Sequence, residues 1–265
     1  QPWVEQGFGA QSPERFRLEQ MRADELGKRG ELDSALAAYE GLLRDMRGAG
    51  LDPGLAADRV RLAQAQVMQG KGEAEAAVAQ LKQVLARSGE ALQRESPEEY
   101  DGARYNLAYA QLFLGDFPAA EALLREVMAS ESARLGPDHP QTLYTVKALG
   151  QALHRQGRLP EAEPLYRMVY EKRKAAYGEG HRSTLNAATQ LAAGLVSLQR
   201  PAEAEPILRE VIAAMEKLGE QRSPQFVANL NILAGSLAQL ERLDEALALT
   251  ARGIAIEADV GAPNQ

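Results

Sequence analysis

One eight-residue string occurs twice in this chain, in two versions that start 42 residues apart. Residues 136–143 are GPDHPQTL, and residues 178–185 are GEGHRSTL. Between the two copies the sequence passes through an apolar stripe, a glycine turn and a second apolar stripe. Self-similarity at a fixed offset of this length is typical of helical hairpins that repeat and stack in a row. The repeat therefore constrains the fold more than any single motif does.

The 42-residue period continues along the chain, as the spacing of the predicted turns between helices shows. Six turn positions follow one another at steps of 42 or 43 residues, and a small residue stands seven residues before each of them. The turn positions are Gly30, Gly72, Gly115, Gly157, Gln199 and Glu241, and the small residues are Ala23, Ala65, Ala108, Gly150, Ala192 and Ala234. A small residue at a recurring place lets two helix backbones approach closely, whereas a large one would overpack the contact. We therefore predict an all-α fold of six helix–turn–helix units with about twelve helices.

The repeats resemble tetratricopeptide repeats of the long, roughly 42-residue variety found in kinesin light chains and many bacterial proteins. The text that carries the resemblance is GPDHPQTL, ALGQAL and GRLPEAEPLYR in the fourth unit, GEGHRSTL, QLAAGL and PAEAEPILR in the fifth, and ILAGSL and ERLDEAL in the sixth. The resemblance implies a right-handed α-solenoid, a fold that hosts many functions. The predicted division is an N-terminal tail (1–13), one array of six repeats (14–50, 51–94, 95–135, 136–177, 178–218 and 219–258) and a C-terminal tail (259–265).

The sequence contains none of the common catalytic patterns. It has no cysteine, which excludes disulfides, thiolate metal sites and cysteine nucleophiles, and it lacks a phosphate-binding loop, a GxSxG and an HExxH. His139 and His181 lie one repeat apart at turn-to-helix junctions, so we expect them either to act as helix caps or to pack the turn. His154 has no second histidine four residues away, which argues against zinc. We predict a non-enzymatic protein with no cofactor and no metal.

Charge and hydropathy exclude two further classes of partner. The net charge is −7, and the 30 basic residues are spread along the chain rather than clustered, so no nucleic-acid partner is expected. No apolar run approaches the ~20 residues needed to span a bilayer, so we predict no membrane span. The chain begins with Gln1 rather than methionine, which indicates a processed product or an excised piece. We expect a cytoplasmic location, and a processed periplasmic or exported form stays open.

The resemblance implies that the first helix of each unit lines a concave groove that binds a peptide or protein segment. The residues expected there are Tyr105, Asn106, Tyr109, Tyr144, Lys147, Gln151, His154, Arg155, Asn186, Thr189 and Asn231. Tyrosine rings supply contact area, and amide side chains can bond a peptide backbone. Basic groups on an acidic protein predict a ligand with negative charge, such as an acidic segment or a free carboxylate.

Two alternatives to this interpretation stay open. The predicted groove residues could form an ordinary solvated face whose tyrosines pack on neighbouring helices. The whole array could also be a regulatory or sensor segment of a larger bacterial signalling protein, such as a kinase or a transcription regulator, because arrays of the resembled kind often occur in such chains. A catalytic or DNA-binding domain beside the array in the full-length gene would favour the regulatory alternative.

The predicted last helix, from Asp244 to about Glu257, carries more apolar residues than one buried stripe requires, among them Leu247 and Ile254. The tail after it is too short for another helix. The end unit of an array needs a polar outer face, and exposed apolar patches usually mark interaction surfaces. We therefore predict that the C-terminal repeat is covered, by a second copy in a symmetric homodimer or by residues outside this sequence.

Overall fold

The computed structural model describes residues 12–261, and their regular structure is entirely α-helical. The helices in this range are α1 (Pro13–Lys28), α2 (Leu32–Gly48), α3 (Leu55–Lys71), α4 (Ala74–Glu95), α5 (Pro97–Leu114), α6 (Phe117–Leu135), α7 (Pro140–Arg155), α8 (Leu159–Tyr177), α9 (Arg182–Ser197), α10 (Pro201–Lys217), α11 (Pro224–Gln239) and α12 (Leu243–Gly261). Six helix–turn–helix units are thus confirmed over the described range. Most of the two predicted tails, residues 1–11 and 262–265, lies outside it.

Side-chain caps begin several of the first helices. The hydroxyl of Ser12 accepts a hydrogen bond from the Arg15 amide at 3.2 Å. The Nδ1 atoms of His139 and His181 accept from amides two residues later, each at 3.2 Å. An acceptor at this position satisfies one of the backbone N–H groups that the first turn of a helix leaves without a partner. The interpretation of the two histidines as helix caps is confirmed.

The turn between the two helices of each unit has the same backbone conformation throughout. All six turn positions have positive φ, from 57° at Gln199 to 89° at Gly72. Glycine adopts this left-handed region freely, and other residues do so uncommonly. Gln199 and Glu241 nevertheless occupy it in the fifth and sixth units. The turn geometry is therefore retained in these two units without glycine.

The chain forms two compact units, one up to residue 134 and one from residue 135 onward. Consecutive helices pack against each other from α1 to α5 and from α7 to α12. Helix α6 joins α5 through a 2.7 Å hydrogen bond from the Ser130 hydroxyl to Asp101. Within each compact unit the helix pairs are therefore packed as in an α-solenoid.

The predicted close contacts lie at the recurring small residues, all of which are buried. In the fourth repeat, a Cβ atom placed on Gly150 would lie 2.7 Å from Cε1 of Tyr166. The other side of the same ring approaches Gly194 on α9, where an added Cβ would lie 3.2 Å from Cδ2. Tyr166 thus fills the space that two glycines leave on two successive first helices.

A charged network is buried between α3 and α4. Asp58 is 0% exposed, and it accepts hydrogen bonds from the Ser88 hydroxyl at 2.5 Å, from Nε of Arg87 at 2.8 Å and from Nη1 of Arg61 at 3.0 Å. Buried charges are stable in proteins only when they are paired and hydrogen-bonded. This network meets that condition and fixes the packing of the second repeat.

The last helix, α12, ends later than the sequence predicts. Helix α12 continues to Gly261, beyond its predicted end at about Glu257 and the predicted end of the array at 258. Glycine costs only about 1 kcal/mol in a helix interior and is well tolerated at a helix terminus, so Gly261 does not stop the helix earlier. Leu243, Leu247 and Ile254 are exposed on α12, and Leu247 has 67% of its surface accessible.

Candidate functional site

Tyr144 is an exposed aromatic residue of α7 with two cations beside its ring. Its side chain is 49% exposed. The Nζ atom of Lys147 lies 5.6 Å from the ring centroid, and Cζ of Arg173 lies 4.8 Å from it. Cations near the face of an aromatic ring are attracted by its quadrupole. Because Arg173 belongs to α8, the cluster joins both helices of the fourth repeat.

A cavity of about 480 Å³ lies against this cluster. Tyr144 and Lys147 line it from α7, Arg173 and Tyr177 from α8, and Asn186 from α9. We call this cavity the Tyr144 pocket. Three predicted groove residues are therefore together in one place, within the second compact unit.

The polar residues at the rim of the Tyr144 pocket have defined partners. The ring of Tyr177 stacks on that of His181 at 4.8 Å between centroids and 26° between planes. Arg182 pairs with Glu220 at 2.5 Å. These contacts hold the rim residues in place. They do not involve Lys147 or Arg173, the two cations beside the Tyr144 ring.

The two deeper cations lack an acidic partner in the part of the chain that the structure describes. Arg173 is only 4% exposed, and its Nη1 donates to the carbonyl of Ser183 at 3.3 Å. Burial lowers the pKa of the Lys147 ammonium, and the charge of Arg173 lowers it further. The pocket is therefore locally positive on a chain whose net charge is −7.

The other predicted residues of α7 lie away from the pocket lining. Gln151 donates to Gln190 on α9 at 3.3 Å, so its amide bridges two first helices. His154 is half-buried, with its ring centroid 6.2 Å from that of Tyr166. Burial lowers the pKa of His154, as does the charge of Arg155, which favours the neutral imidazole at neutral pH. Arg155 itself is exposed.

The predicted exposure of Thr189 is wrong. This side chain is 6% exposed, and its hydroxyl lies 2.8 Å from Oδ1 of Asn229 and 3.1 Å from the carbonyl of Leu185. Helix α9 packs against α11 as well as against its sequence neighbours, so it buries a second stripe. Asn231 on α11 is exposed, as predicted, and Gly253 of α12 lies close to it.

A separate aromatic surface lies on α5 in the first compact unit. Tyr105 stacks on Tyr109 at 6.1 Å between centroids, and Tyr109 meets Phe113 edge-on at 5.1 Å. The carbonyl of Asn106 accepts from Nε2 of Gln69 at 2.8 Å. The predicted residues of the third repeat thus form a surface of their own within that unit.

Sequence reasoning missed Arg173, which lies on a second helix rather than a first. A comparison of equivalent positions along the repeats could have found it. The residue 16 positions after the turn is Met46, Ser88, Glu131, Met215 and Glu257 in the other repeats, but arginine in the fourth. A single cation at this position is the detectable signal.

A model of the tetratricopeptide repeat matches this sequence over residues 101–175 and, in an overlapping second match, over 148–217. The chain contains tetratricopeptide repeats. No curated protein matches it. Among the residues that the structure covers, no helix is long and apolar enough to cross a membrane, and no group of histidines and carboxylates could hold a metal ion.

Solved tetratricopeptide structures share the fold. The nearly identical repeats of a Podosopora anserina kinesin light chain are 26% identical, with a TM-score of 0.66 over 77% of this chain and 97% of that one. BtubC (BKLC) from P. vanneervenii is 15% identical, with a TM-score of 0.71 over 88% and 94%. YrrB, described as a tetratricopeptide repeat protein with an unusual peptide-binding site, is 16% identical, with a TM-score of 0.50 over 76% and 86%. The predicted likeness to kinesin light chain repeats is confirmed.

Proposed function

We propose that this chain is a non-enzymatic interaction module that binds a peptide or protein segment at the Tyr144 pocket. The observation that carries the proposal is an exposed tyrosine flanked by two cations at a cavity between three helices. Tyrosine and arginine are enriched among the residues that dominate binding energy at interfaces. Asn186, on the third helix of the pocket, offers an amide that can pair with a peptide backbone.

The fold supports the same class of ligand. YrrB, which shares the tetratricopeptide architecture, is described as having a peptide-binding site, and we extend that class of ligand to this chain. The ladder of Tyr105, Tyr109 and Phe113 on α5 offers further aromatic area in the first compact unit. We propose it as a second contact surface for a protein partner.

The proposal is tested by selecting peptides from a random library on the full chain and measuring their affinity by calorimetry. Tyr144→Ala is expected to weaken binding about thirtyfold, since loss of a central interface aromatic costs about 2 kcal/mol or more. Tyr109→Ala should weaken binding of any partner that also covers α5. Circular dichroism should show unchanged helix content in both variants, because both side chains are exposed.

Leu218→Ala is the matched control for these variants, because Leu218 is an exposed apolar residue that does not line the Tyr144 pocket. It should leave affinity within about twofold of wild type, as expected for a residue outside the interface. A library that yields no binder, or binders that tolerate Tyr144→Ala at wild-type strength, would contradict the proposal.

We also propose that the C-terminal repeat joins a second copy of the chain. Leu243, Leu247 and Ile254 are exposed on α12 at spacings of four and seven residues, which place them on one face of a helix. Two-fold contacts are the commonest closed assembly of identical chains. Sedimentation equilibrium should therefore show a concentration-dependent dimer, and Leu247→Asp should return it to monomer, whereas Leu218→Asp should not. A wild-type monomer at high concentration would overturn this proposal.

A further inference from the structure

Two equivalent positions recur in the repeats, one on the first helix 14 residues before the turn and the other on the second helix 16 residues after it. In the second repeat they hold Asp58 and Ser88, joined by a 2.5 Å hydrogen bond. The first and fifth repeats hold apolar residues instead. These apolar pairs are Phe16 with Met46 and Leu185 with Met215, and all four side chains are buried. The third repeat holds Asp101 and Glu131, both buried, and the sixth holds the buried Val227 with the exposed Glu257.

Of the six repeats, only the fourth places a cation in this pair, which consists of Leu143 and Arg173. In the second and third repeats, Asp58 and Asp101 stand at the position of Leu143 and lie near arginines of the second helix. Arg173 is almost completely buried, yet the paired position of its repeat holds Leu143 where these repeats have a carboxylate. An ionised group removed from water without a counter-charge is unfavourable.

The contacts of Arg173 leave most of its hydrogen-bonding capacity unused. A guanidinium has five N–H donors, and one of them reaches the carbonyl of Ser183 while the ring of Tyr144 covers part of its face. Lys147 lies near the same ring and also forms no ion pair with any carboxylate in residues 12–261. The adjacent Lys172, by contrast, pairs with Asp138 at 2.7 Å. Two cations therefore converge on one cavity, and neither is paired with a carboxylate of the residues that the structure describes.

We infer that the Tyr144 pocket is an oxyanion site, in which the Arg173 guanidinium and the Lys147 ammonium hold a carboxylate or phosphate group of the ligand. The planar fork of arginine matches both groups with two parallel hydrogen bonds, and lysine adds a point charge. The inference rests on the proposed function, because it names the charged group that a bound segment inserts into this pocket.

The test titrates the ¹⁵N-labelled full chain with sodium acetate, sodium phosphate and sodium chloride at constant ionic strength. The backbone amide signals of Tyr144 and Asn186 report on the pocket by NMR. We expect saturable shifts with acetate, with phosphate or with both, and only small linear shifts with chloride. Saturation by acetate alone identifies a carboxylate ligand, and saturation by phosphate alone identifies a phosphorylated one.

The variant R173M separates binding from folding, because methionine beside leucine recreates the buried Leu185 and Met215 pair of the fifth repeat. It should fold with an unchanged or higher Tm, since it removes an unneutralised buried charge. It should weaken oxyanion binding about tenfold or more, as expected for lost hydrogen bonds to a charged group. The control K172M also removes one positive charge from α8, but Lys172 does not line the pocket and is paired with Asp138 at 2.7 Å, so it should change affinity by no more than about twofold.

Equal responses to all three salts, or equal oxyanion affinity in wild type and R173M, would overturn the inference and leave Arg173 a structural residue. The two proposals fail separately. If library-selected peptides bind R173M as well as wild type, peptide binding stands and the oxyanion site falls. If acetate or phosphate saturates the pocket while no peptide binds, the oxyanion site stands and the peptide-binding proposal falls.

Discussion

The Asp58→Ala variant is expected to lose about 3–5 kcal/mol of unfolding free energy, the usual cost of removing one partner from a buried ion pair. Asp58 is fully buried and binds Arg61, Arg87 and Ser88 at once. Its removal leaves Arg61 and Ser88 without their shared acceptor in the interior of the second repeat. Urea unfolding followed by circular dichroism measures the loss, which should appear first in the transition of the first compact unit.

Asp33→Ala provides the matched control, because Asp33 also pairs with a basic residue, Lys71, at 2.7 Å, but is 85% exposed. Exposed ion pairs contribute at most about 1 kcal/mol. If the two alanine variants lost similar amounts of stability, the buried network would not hold the second repeat together.

The same carboxylate gives the second repeat a predictable dependence on acid. Burial alone would raise the pKa of Asp58, but the hydrogen bonds from Arg87 and Ser88 outweigh it and lower that pKa below its usual value. A lowered folded-state pKa stabilises the protein above the unfolded-state pKa of about 3.9, and this stabilisation is lost as pH falls through the folded-state value. Asp58→Asn should therefore flatten the fall in stability below about pH 4.

Gly150→Ala is expected to destabilise the chain by about 1–3 kcal/mol, the usual cost of overpacking. In an unconstrained helix the same change stabilises by about 1 kcal/mol. Here the substitution is destabilising instead, because the new Cβ would lie 2.7 Å from Cε1 of the buried Tyr166 ring. The ring cannot retreat freely, since its other side approaches Gly194. Thermal and urea unfolding of the purified variant measure the change.

Two further variants show whether the Tyr166 ring is the cause. Adding Tyr166→Leu to Gly150→Ala should recover part of the loss, because the second, third and fifth repeats place alanine and leucine at these positions. These pairs are Ala65 with Leu81, Ala108 with Leu124, and Ala192 with Leu208. Gly235→Ala is the control, since nothing lies within 4 Å of its added Cβ, and it should stabilise by up to about 1 kcal/mol. A stabilising effect of Gly150→Ala would contradict the packing argument.

Much of the fold could be predicted from the sequence, because it depends on local and repeated features. Small residues such as Ala65 and Gly150 recur where helices touch, and His139 and His181 recur where helices begin. Each repeat thus shows the same structural requirement at the same place, which makes the pattern visible in the sequence. The end of α12 could not be predicted in this way. It lies after the last period, and a single glycine opposes a helix only weakly.

The candidate site was less predictable because it departs from the period. Helical spacing places Tyr144 and Lys147 on one face, but it does not show that Arg173 reaches the same ring from α8. The burial of Thr189 depends on contact between α9 and α11, two helices separated in sequence by α10. Contacts between repeats, rather than spacing within one helix, decide which predicted residues are accessible.

The position of Tyr166 affects how the fourth and fifth repeats unfold. Its ring lies against Gly150 on α7 and Gly194 on α9, so it belongs by sequence to the fourth repeat but also packs against the fifth. In arrays of this kind, stability is a sum of intrinsic repeat energies and nearest-neighbour coupling energies. A side chain shared by two repeats adds to the coupling energy, and neither repeat can unfold alone without exposing it. We therefore expect the amide hydrogens of α7 to α9 to exchange with solvent at similar rates, as members of one cooperative unit.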